Sequence, residues 1–357
     1  MATIPLPADP TLEAVDAALV AAQDTTPRPY LGMSSIGHPC DRKLWFDFRW
    51  SVLRQFDAAT IKRFEDGHRG ESVQAQRLRM VSGIELHTER PDGKQYGFSL
   101  CGDHFKGHID GAVLGLLQAP KTWHVWEHKQ VGDTKFKALA KAISDVGEKA
   151  ALAQWDGIYY GQAQLYMRCS GMDRHYLTCS TPGGRDTISV RTDADHEFAD
   201  GLIARAMRII DAAEPPQRIS ERPDWYQCKL CDYASICHQS AVPLPTCRSC
   251  AHVTPVADGA WHCARHGKAL DVAEQKAGCQ SHRYVPALLR NFADAVDADT
   301  EANSITYRHR VSGHSFINGL PPEGYESTEI HACADKKALG DPSVREFRLE
   351  FDARIAA

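Results

Sequence analysis

The chain has 357 residues, of which 43% are hydrophobic and 24% are charged, and its formal net charge is −5. These proportions are typical of a soluble globular protein with two domains, or with one large domain and additions to it. The negative balance excludes a globally basic surface, so any groove for nucleic acid must be a local feature. No run of about eighteen apolar residues occurs in the sequence, which excludes a membrane-spanning helix.

Residues 1–30 are expected to form an N-terminal arm, because five prolines surround one predicted helix at 11–22. No Lys or Arg precedes Arg28, and Asp16 interrupts the apolar run, so a secretory signal peptide is not expected. We therefore expect a cytoplasmic protein. In such a protein, twelve Cys residues are more typical of metal ligands than of disulfides.

Two further helices are predicted before the first strands. Asp41 is expected to cap the first of them, and Cys40 taken alone is typical of a small buried residue. The second helix is predicted at 60–82, where Gly83 favours its end. Its expected apolar positions are Phe64, Val73, Leu78 and Val81.

The helix at 60–82 contains two glycines, Gly67 and Gly70. Each destabilises a helix by about 1 kcal/mol relative to Ala, so close packing or the approach of a ligand is expected at these positions. Glu71 follows directly and is either a metal ligand or an ordinary exposed residue.

A short acidic and basic pattern lies on the next two predicted strands, at 105–114 and 122–130, which favour a hairpin through the turn residues between them. Glu127 and Lys129 are two residues apart on the second strand, so their side chains leave the same face. Asp110 on the first strand is expected to come beside them. The prediction is a site with two carboxylates and one ammonium.

Two neighbouring carboxylates repel each other unless a divalent cation lies between them, and oxygen ligands suit Mg²⁺ or Mn²⁺. Such an ion polarises a phosphate and lowers the pKa of a bound water, which is the chemistry of metal-assisted phosphodiester hydrolysis. Lys129 could orient that water or offset developing charge. The same pattern also occurs in solvated charge pairs at strand edges, so the motif alone leaves both interpretations open.

The rest of the central region alternates helices and strands. A helix at 152–168 places Gln162 within an apolar stripe, where a buried amide must find hydrogen-bond partners. Residues 134–153 are predicted as helix or as a loop around a second helix. Further predicted elements are strands at 174–180 and 186–191 and a helix at 196–213.

Three cysteines follow in ten residues, Cys228, Cys231 and Cys237, and this spacing indicates a metal site. Three thiolates need a fourth ligand. His238 would complete a zinc site, whereas a distant cysteine would suit either zinc or a 4Fe–4S cluster. Cys40 is the distant candidate.

Four motifs follow one another along the chain: Gly67-x3-Glu71, Gly107-x2-Asp110, Glu127-x-Lys129 and Gln162-x3-Tyr166. Together they resemble the RecB-like exonuclease group of the PD-(D/E)xK nucleases, over roughly residues 30–240. Cys40 before Arg-Lys-Leu-Trp, with the later three-cysteine run, is similar to the iron–sulfur subgroup that includes the CRISPR-adaptation nucleases and the nuclease lobe of AddB. Phage-encoded relatives that supply exonuclease activity for recombination are especially similar.

The resemblance implies that Asp110, Glu127 and the carbonyl of His128 hold Mg²⁺ or Mn²⁺, with Glu71 as a further ligand, and that Lys129 acts on the attacking water. It implies that Gln162 and Tyr166 orient the lysine or contact DNA. Many members carry His where this chain has Glu71, and His68 is out of register with that position. The 4Fe–4S ligands would be Cys40, Cys228, Cys231 and Cys237.

The implied function is a divalent-metal-dependent DNA exonuclease of recombination, repair or phage DNA processing. Its substrate would be single-stranded DNA or duplex ends, and its protein partner a recombination or annealing protein. The alternative from a different class is a non-catalytic, metal-stapled DNA-binding or scaffold protein in which the carboxylates are structural.

The composition changes after Pro243. A second metal module, most simply tetrahedral zinc, is expected, because about forty residues with few apolar groups need a staple to fold. His266 and His282 compete as ligands. The expected zinc ligands are Cys247, Cys250, Cys263 and Cys279, and the cysteines expected to be inert are Cys101, Cys169, Cys179 and Cys333.

The predicted fold class is mixed α/β (α+β), with a central mixed sheet flanked by helices in a restriction-endonuclease-like core, a small Cys-rich zinc module and a C-terminal α+β region. Four segments are expected: an arm at 1–30, the nuclease domain at 31–242, the zinc module at 243–285 and the C-terminal region at 286–357. The last segment is predicted to hold a helix at 287–296 and strands at 304–307, around 316, at 328–333 and at 345–351.

Overall fold

The structure of the protein, a computed structural model, describes residues 9–356. The chain divides into two compact units, and each is discontinuous in sequence. The first unit contains the described residues up to Pro27 together with Arg54–Phe98 and Gly107–Leu202, and the second contains Arg28–Leu53, Ser99–Lys106 and the described residues from Ile203 onward. No helix in the described range is long and apolar enough to cross a membrane.

The helices and strands are numbered in chain order. The first fourteen are α1 (Pro10–Ala22), β1 (Leu31–Gly32), α2 (Asp41–Phe48), α3 (Ala58–Arg79), β2 (Glu85–His87), β3 (Gly97–Leu100), β4 (Phe105–His108), β5 (Gly111–Leu114), β6 (His124–Gln130), α4 (Asp133–Val146), α5 (Glu148–Trp155), α6 (Gly157–Ser170), β7 (Arg174–Ser180) and β8 (Thr187–Asp193). The remainder are α7 (His196–Asp211), α8 (Tyr226–Lys229), α9 (Ala234–His238), β9 (Val253–Pro255), β10 (Trp261–Cys263), β11 (Lys268–Leu270), α10 (Val272–Ala277), β12 (Ala293–Asp299), β13 (Ser304–His309), β14 (Ser315–Asn318), α11 (Ser327–Ala332) and α12 (Pro342–Phe351).

A five-stranded mixed sheet forms the centre of the first unit, in the order β2-β5-β6-β7-β8. β6 and β7 are parallel, since α4, α5 and α6 form the crossover between them, and the other pairs are antiparallel. One face packs against α4, α5 and α6 through apolar residues that include Leu139, Leu152 and Leu177. The opposite face packs against α3 through Leu78 and Trp126. The predicted fold class, a central mixed sheet flanked by helices, is confirmed.

The predicted strand at 105–114 is wrong as a single element, because it is broken between β4 and β5. Phe105 of β4 pairs with Leu31 of β1, whereas Gly111 of β5 pairs with Trp126 of β6. The chain changes its pairing partner at the break. Asp110 therefore lies immediately before the point where β5 joins the central sheet.

Two helix predictions need correction in this unit. The predicted helix at 152–168 is interrupted at Asp156, whose carboxylate accepts hydrogen bonds from the backbone N–H groups of Ile158 and Tyr159 and so begins a new helix, α6. The expected apolar set of α3 is mostly exposed, including Phe64, and only Leu78 of that set is buried.

The two glycines of α3 lie in different surroundings. A Cβ added to Gly70 would lie 2.4 Å from Oε1 of Gln130, whereas one added to Gly67 would meet nothing within 4 Å. Gly70 therefore permits the close approach of α3 to the end of β6, which is the close packing that was expected. Gly67 has no such packing reason.

The second unit is built from short elements. Antiparallel sheets form from β9, β10 and β11 and from β12, β13 and β14. The cap of α2 is Cys40 rather than the predicted Asp41, since the Cys40 sulfur accepts a hydrogen bond from the backbone of Lys43 at 3.4 Å. Arg248 is completely buried, with its guanidinium 3.6 Å from the ring centre of Trp50.

Three predictions for the C-terminal segment are wrong. The expected helix at 287–296 is replaced by a short turn and by β12, and the expected strands at 328–333 and 345–351 are the helices α11 and α12. Capping explains the two helices: Glu326 and Glu329 form a capping box at α11. Asp341 caps α12, with Pro342 at its first position.

Candidate active site

Asp110, Glu127 and Lys129 meet at one place in the first unit. Nζ of Lys129 donates to Oε2 of Glu127 at 2.8 Å, and the backbone N–H of Asp110 donates to Oε1 of Glu127 at 3.3 Å. Oδ2 of Asp110 accepts from the backbone N–H of His128 at 2.8 Å. The two carboxylates and the ammonium therefore form one hydrogen-bonded group at the junction of β5 and β6.

Helix α6 brings an amide and a phenol to this group. Nε2 of Gln162 donates to Oε2 of Glu127 at 3.2 Å and to the hydroxyl of Tyr166 at 3.2 Å. Glu127, Gln162 and Tyr166 are all buried. Burial, followed by repulsion from Glu127, raises the pKa of Tyr166, so its hydroxyl stays neutral. Glu127 is thus held by hydrogen bonds from both the sheet and α6.

The charges of the site are unbalanced. Burial, followed by repulsion from Asp110, raises the pKa of Glu127 to about 8 and that of Glu71 to about 7. Burial also raises the pKa of Asp110. Burial opposes the charge of Lys129, but attraction to Glu127 and Asp110 outweighs it and raises the lysine pKa. Three carboxyl groups therefore face one ammonium, and a divalent cation would favour their ionised forms.

The ring of His128 lies on the other face of the sheet from Glu127 and Lys129, as alternation along a strand requires. Its Nδ1 lies 3.0 Å from the hydroxyl of Thr178 and its Nε2 lies 3.1 Å from that of Ser180. Burial, followed by repulsion from Lys129, lowers the pKa of His128 to about 4. The ring is neutral and structural, so only the backbone of this residue can serve the carboxylate site.

Two further residues extend the site and were not identified from the sequence as part of it: Tyr159 lies beside Lys129, and Lys135 lies beside Tyr159. The ring centre of Tyr159 lies 5.5 Å from Nζ of Lys129 and 4.4 Å from Nζ of Lys135. Nζ of Lys135 also lies 2.6 Å from a carboxylate oxygen of Asp156. The pattern Asp156-x2-Tyr159 at the start of a helix was the only signal in the sequence for these contacts. Lys135 lies on another helix, so its contact with Tyr159 left no pattern along the chain.

The first cysteine set gathers in the second unit. The four cysteines line one pocket together with three cationic side chains, and the guanidinium of Arg218 donates to the carbonyl of Cys237 at 2.6 Å. His238 lines the same pocket, so it stays a competing ligand. Burial, followed by repulsion from the other three thiols, raises the pKa of Cys228. The four cysteines and three cationic side chains that line this pocket are Cys40, Cys228, Cys231, Cys237, Arg42, Lys43 and Arg218.

The second cysteine set lines another pocket of the same unit. Nε2 of His266 lies 3.7 Å from the sulfur of Cys279, at the exposed side of the pocket. His282 is buried and its Nε2 is engaged with the hydroxyl of Ser249 at 3.1 Å. Burial, followed by repulsion from Cys250, raises the pKa of Cys247 to about 12. The four cysteines of this pocket are Cys247, Cys250, Cys263 and Cys279.

Within residues 9–356, no group of three or more His, Cys, Asp or Glu side chains is arranged so that it could hold a metal ion directly. The three sets share pockets or hydrogen bonds, yet their donor atoms do not converge on one point. Their chemistry still fits two classes of metal. Carboxylate oxygens suit hard ions such as Mg²⁺ and Mn²⁺, and thiolates suit zinc and iron–sulfur clusters.

No protein-family model and no curated protein matches this chain. Its fold is similar to a structure described as SSO0001, with a TM-score of 0.37 and 12% identity over 64% of this chain and 96% of that one. It is similar to LHK-Exo in complex with dAMP, with a TM-score of 0.34 and 13% identity, and to an alkaline exonuclease (LHK-Exo) from Laribacter hongkongensis, with a TM-score of 0.35 and 14% identity. Each of these two likenesses covers 55% of this chain and 90% of the other. Likeness at this level establishes neither a family nor an activity.

Proposed function

We propose that this protein is a divalent-metal-dependent DNA exonuclease that hydrolyses phosphodiester bonds in recombination, repair or phage DNA processing. One observation carries the proposal. Half-buried Asp110 and buried Glu127 are joined by a hydrogen bond from the backbone N–H of Asp110 to the Glu127 carboxylate, and Lys129 is the ammonium partner of Glu127. Burying several carboxyl groups around one cation is unfavourable without a further positive charge, so a structural role alone explains the arrangement poorly.

Each residue has a proposed role. Asp110, Glu127 and the His128 carbonyl would hold Mg²⁺ or Mn²⁺, with Glu71 as a further ligand. The bound ion would polarise the phosphate and lower the pKa of a water molecule. Lys129 would orient the attacking water and offset the charge that develops on the phosphate oxygens.

Gln162 and Tyr166 would act as positioning residues. Gln162 donates to the oxygen of Glu127 that also accepts from Lys129, so it fixes the orientation of that carboxylate. Tyr166 accepts the second hydrogen bond of the same amide and holds it in place. Loss of Gln162 would remove one of the three hydrogen bonds that hold the Glu127 carboxylate, and loss of Tyr166 would leave the amide of Gln162 less firmly oriented.

The test is digestion of linear DNA with Mg²⁺ or Mn²⁺, on matched single-stranded, blunt and recessed substrates. The proposal predicts release of nucleotides, and a fall in kcat of at least about 100-fold in Lys129→Met. Lys141→Met is the matched control, because Lys141 pairs with Asp145 on the exposed face of α4. Its activity should equal that of the wild type.

Intact DNA under all these conditions would contradict the proposal. That result would favour the alternative, a non-catalytic metal-stapled DNA-binding or scaffold protein. Equal activity of Lys129→Met and the wild type would also contradict it, because Lys129 is the ammonium group on which the proposed site depends.

We propose a 4Fe–4S cluster for the first cysteine set. The four thiols line one pocket, and Arg42, Lys43 and Arg218 would offset the negative charge of a cluster held by four thiolates. Anaerobically purified protein should be brown, and Cys228→Ser should remove the colour while His238→Ala should keep it. Colourless wild-type protein that contains only zinc would refute the cluster.

We propose tetrahedral zinc for the second cysteine set. Buried His282 is engaged with Ser249, which supports the four cysteines as ligands, whereas exposed His266 lies beside Cys279 and is the competitor. Metal analysis should find one zinc ion that is lost in Cys263→Ser and kept in His282→Ala. If zinc is lost from His266→Ala but kept in Cys279→Ser, His266 and not Cys279 is the fourth ligand.

A further inference from the structure

Gly67 is one of the two glycines inside α3. Glycine is a poor residue for the interior of a helix, so its presence calls for a reason. The close contact with Gln130 explains Gly70. No such contact explains Gly67, since a Cβ at this position would meet nothing within 4 Å.

Gly67 lies on the same face of α3 as Glu71, because residues four apart on a helix are neighbours. The carboxyl of Glu71 is close enough to Asp110 to be repelled by it and to Lys129 to be attracted. His68, next to Gly67, is close enough to Asp110 to favour the ionised form of the Asp110 carboxyl. The turn of α3 that borders the carboxylate group therefore contains a position without a side chain, next to open space.

The same open face continues to an aromatic pair. Phe64 lies three residues before Gly67 and its side chain is 48% exposed. Its ring meets that of Phe56 edge to face, with ring centres 5.0 Å apart. Exposed aromatic rings accept nucleic-acid bases by stacking without regard to sequence. The surface beside the vacant position thus suits a single nucleic-acid strand.

We propose that the space beside Gly67 receives the backbone of the DNA strand that is cleaved, and that a base of this strand stacks on Phe64. This inference rests on the proposed function and identifies Gly67 as a specificity-determining position for it. A side chain at residue 67 would occupy the volume that the sugar–phosphate backbone needs next to the carboxylates. Glycine here destabilises α3 and keeps that path open.

The test compares Gly67 with a second glycine that also lies inside a helix and beside open space but is not part of the proposed site. Gly201 lies inside α7, is exposed, and also has nothing within 4 Å of an added Cβ. Gly67→Leu and Gly201→Leu should both melt at or above the temperature of the wild type, because Leu favours helix over Gly. Gly67→Leu alone should lose kcat/KM, on the order of 100-fold and mainly through KM, and Gly67→Ala should lose less.

Binding is measured separately from cleavage, by fluorescence anisotropy of a short labelled single strand with Ca²⁺ in place of Mg²⁺. Gly67→Leu should bind this strand more weakly than Gly201→Leu does. The single variant Phe64→Ala should also bind the strand more weakly than the wild type does. Equal cleavage and equal binding by the two leucine variants would overturn the inference.

The two proposals can fail independently. If wild-type protein leaves DNA intact with Mg²⁺ or Mn²⁺ but Gly67→Leu alone loses binding, the hydrolysis fails and the strand path stands. Wild-type protein that neither cleaves nor binds the strand overturns both. Normal cleavage by Gly67→Leu would leave the proposed hydrolysis intact and remove the strand path.

Discussion

The carboxylate site and the two cysteine pockets are built by opposite means. Glu127 and Gln162 lie on a seven-residue strand and a fourteen-residue helix, and direct hydrogen bonds join their side chains. Cys228 and Cys237 lie on helices of four and five residues. The carboxylate group is fixed by regular secondary structure around it, whereas the cysteines have little regular structure to fix them.

The difference indicates what each site would need from its proposed metal. The side chains of the carboxylate group are held by packed strands and helices whether or not an ion is bound, so the proposed ion would add chemistry and little folding energy. A metal proposed for a site on short segments would contribute more to stability, because little regular structure holds its ligands in place without the ion. Removal of the two kinds of metal should therefore have different consequences.

The largest expected effect is on the stability of the second unit. Cys228→Ser and Cys263→Ser should each lower the melting temperature by about 10 °C or more, because binding of a structural metal contributes several kcal/mol. Omission of Mg²⁺ should leave the melting temperature nearly unchanged at the same pH. Calorimetry on the wild type and the two variants measures this, and identical melting curves would remove the distinction between the sites.

An intermediate effect is expected on the pH dependence of the first unit. The pKa values of Glu71 and Glu127 are raised to about 7 and about 8, above their values in the unfolded chain near 4.5. The folded state therefore binds more protons between these values, and its free energy of unfolding should fall as pH rises from about 4.5 through 8.

Mg²⁺ should weaken that pH dependence, because it would favour the ionised carboxylates of the folded protein. Urea denaturation at several pH values, with and without Mg²⁺, makes the comparison. Stability that rises over this range in Mg²⁺-free buffer would contradict the assigned charges. Glu71→Gln should make the free energy of unfolding less dependent on pH only in the lower part of this pH range.

A smaller effect is expected at the start of α6, which carries Gln162 and Tyr166. Asp156→Ala removes the cap of this helix and the partner of Lys135, and should reduce the free energy of unfolding by about 1 kcal/mol. Asp145→Ala, at an exposed pair on α4, should change it by less than about 0.5 kcal/mol. Equal effects in urea denaturation would mean that the cap does not stabilise α6.

Local patterns in the sequence were enough to predict the strand with Glu127 and Lys129 and the buried position of Gln162. They could not predict that the chain breaks at Asp110, because that break follows from a change of pairing partner between distant strands. Lys135 was missed for a related reason: it meets Tyr159 across two helices, and spacing along one element carries no sign of such a contact.

The wrong elements of the C-terminal segment lie where the apolar pattern is short. A segment of six to ten residues such as α11 or α12 can fit a strand or a helix, and only its capping residues separate the two. The error at β12 has the same source, since alternating Ala and Asp in a short edge strand has little apolar signal. None of these elements contributes to the carboxylate group.

The most direct test of the central proposal is calorimetric titration of the protein with Mn²⁺ at about pH 7, in two buffers of different ionisation enthalpy. The wild type should bind Mn²⁺ and release about one to two protons per ion, because the pKa values of Glu127 and Glu71 are raised to about 8 and about 7 before the ion binds. Glu127→Gln should bind at least about tenfold more weakly and release fewer protons. Equal affinity and equal proton release in the two proteins would contradict a metal site at these carboxylates.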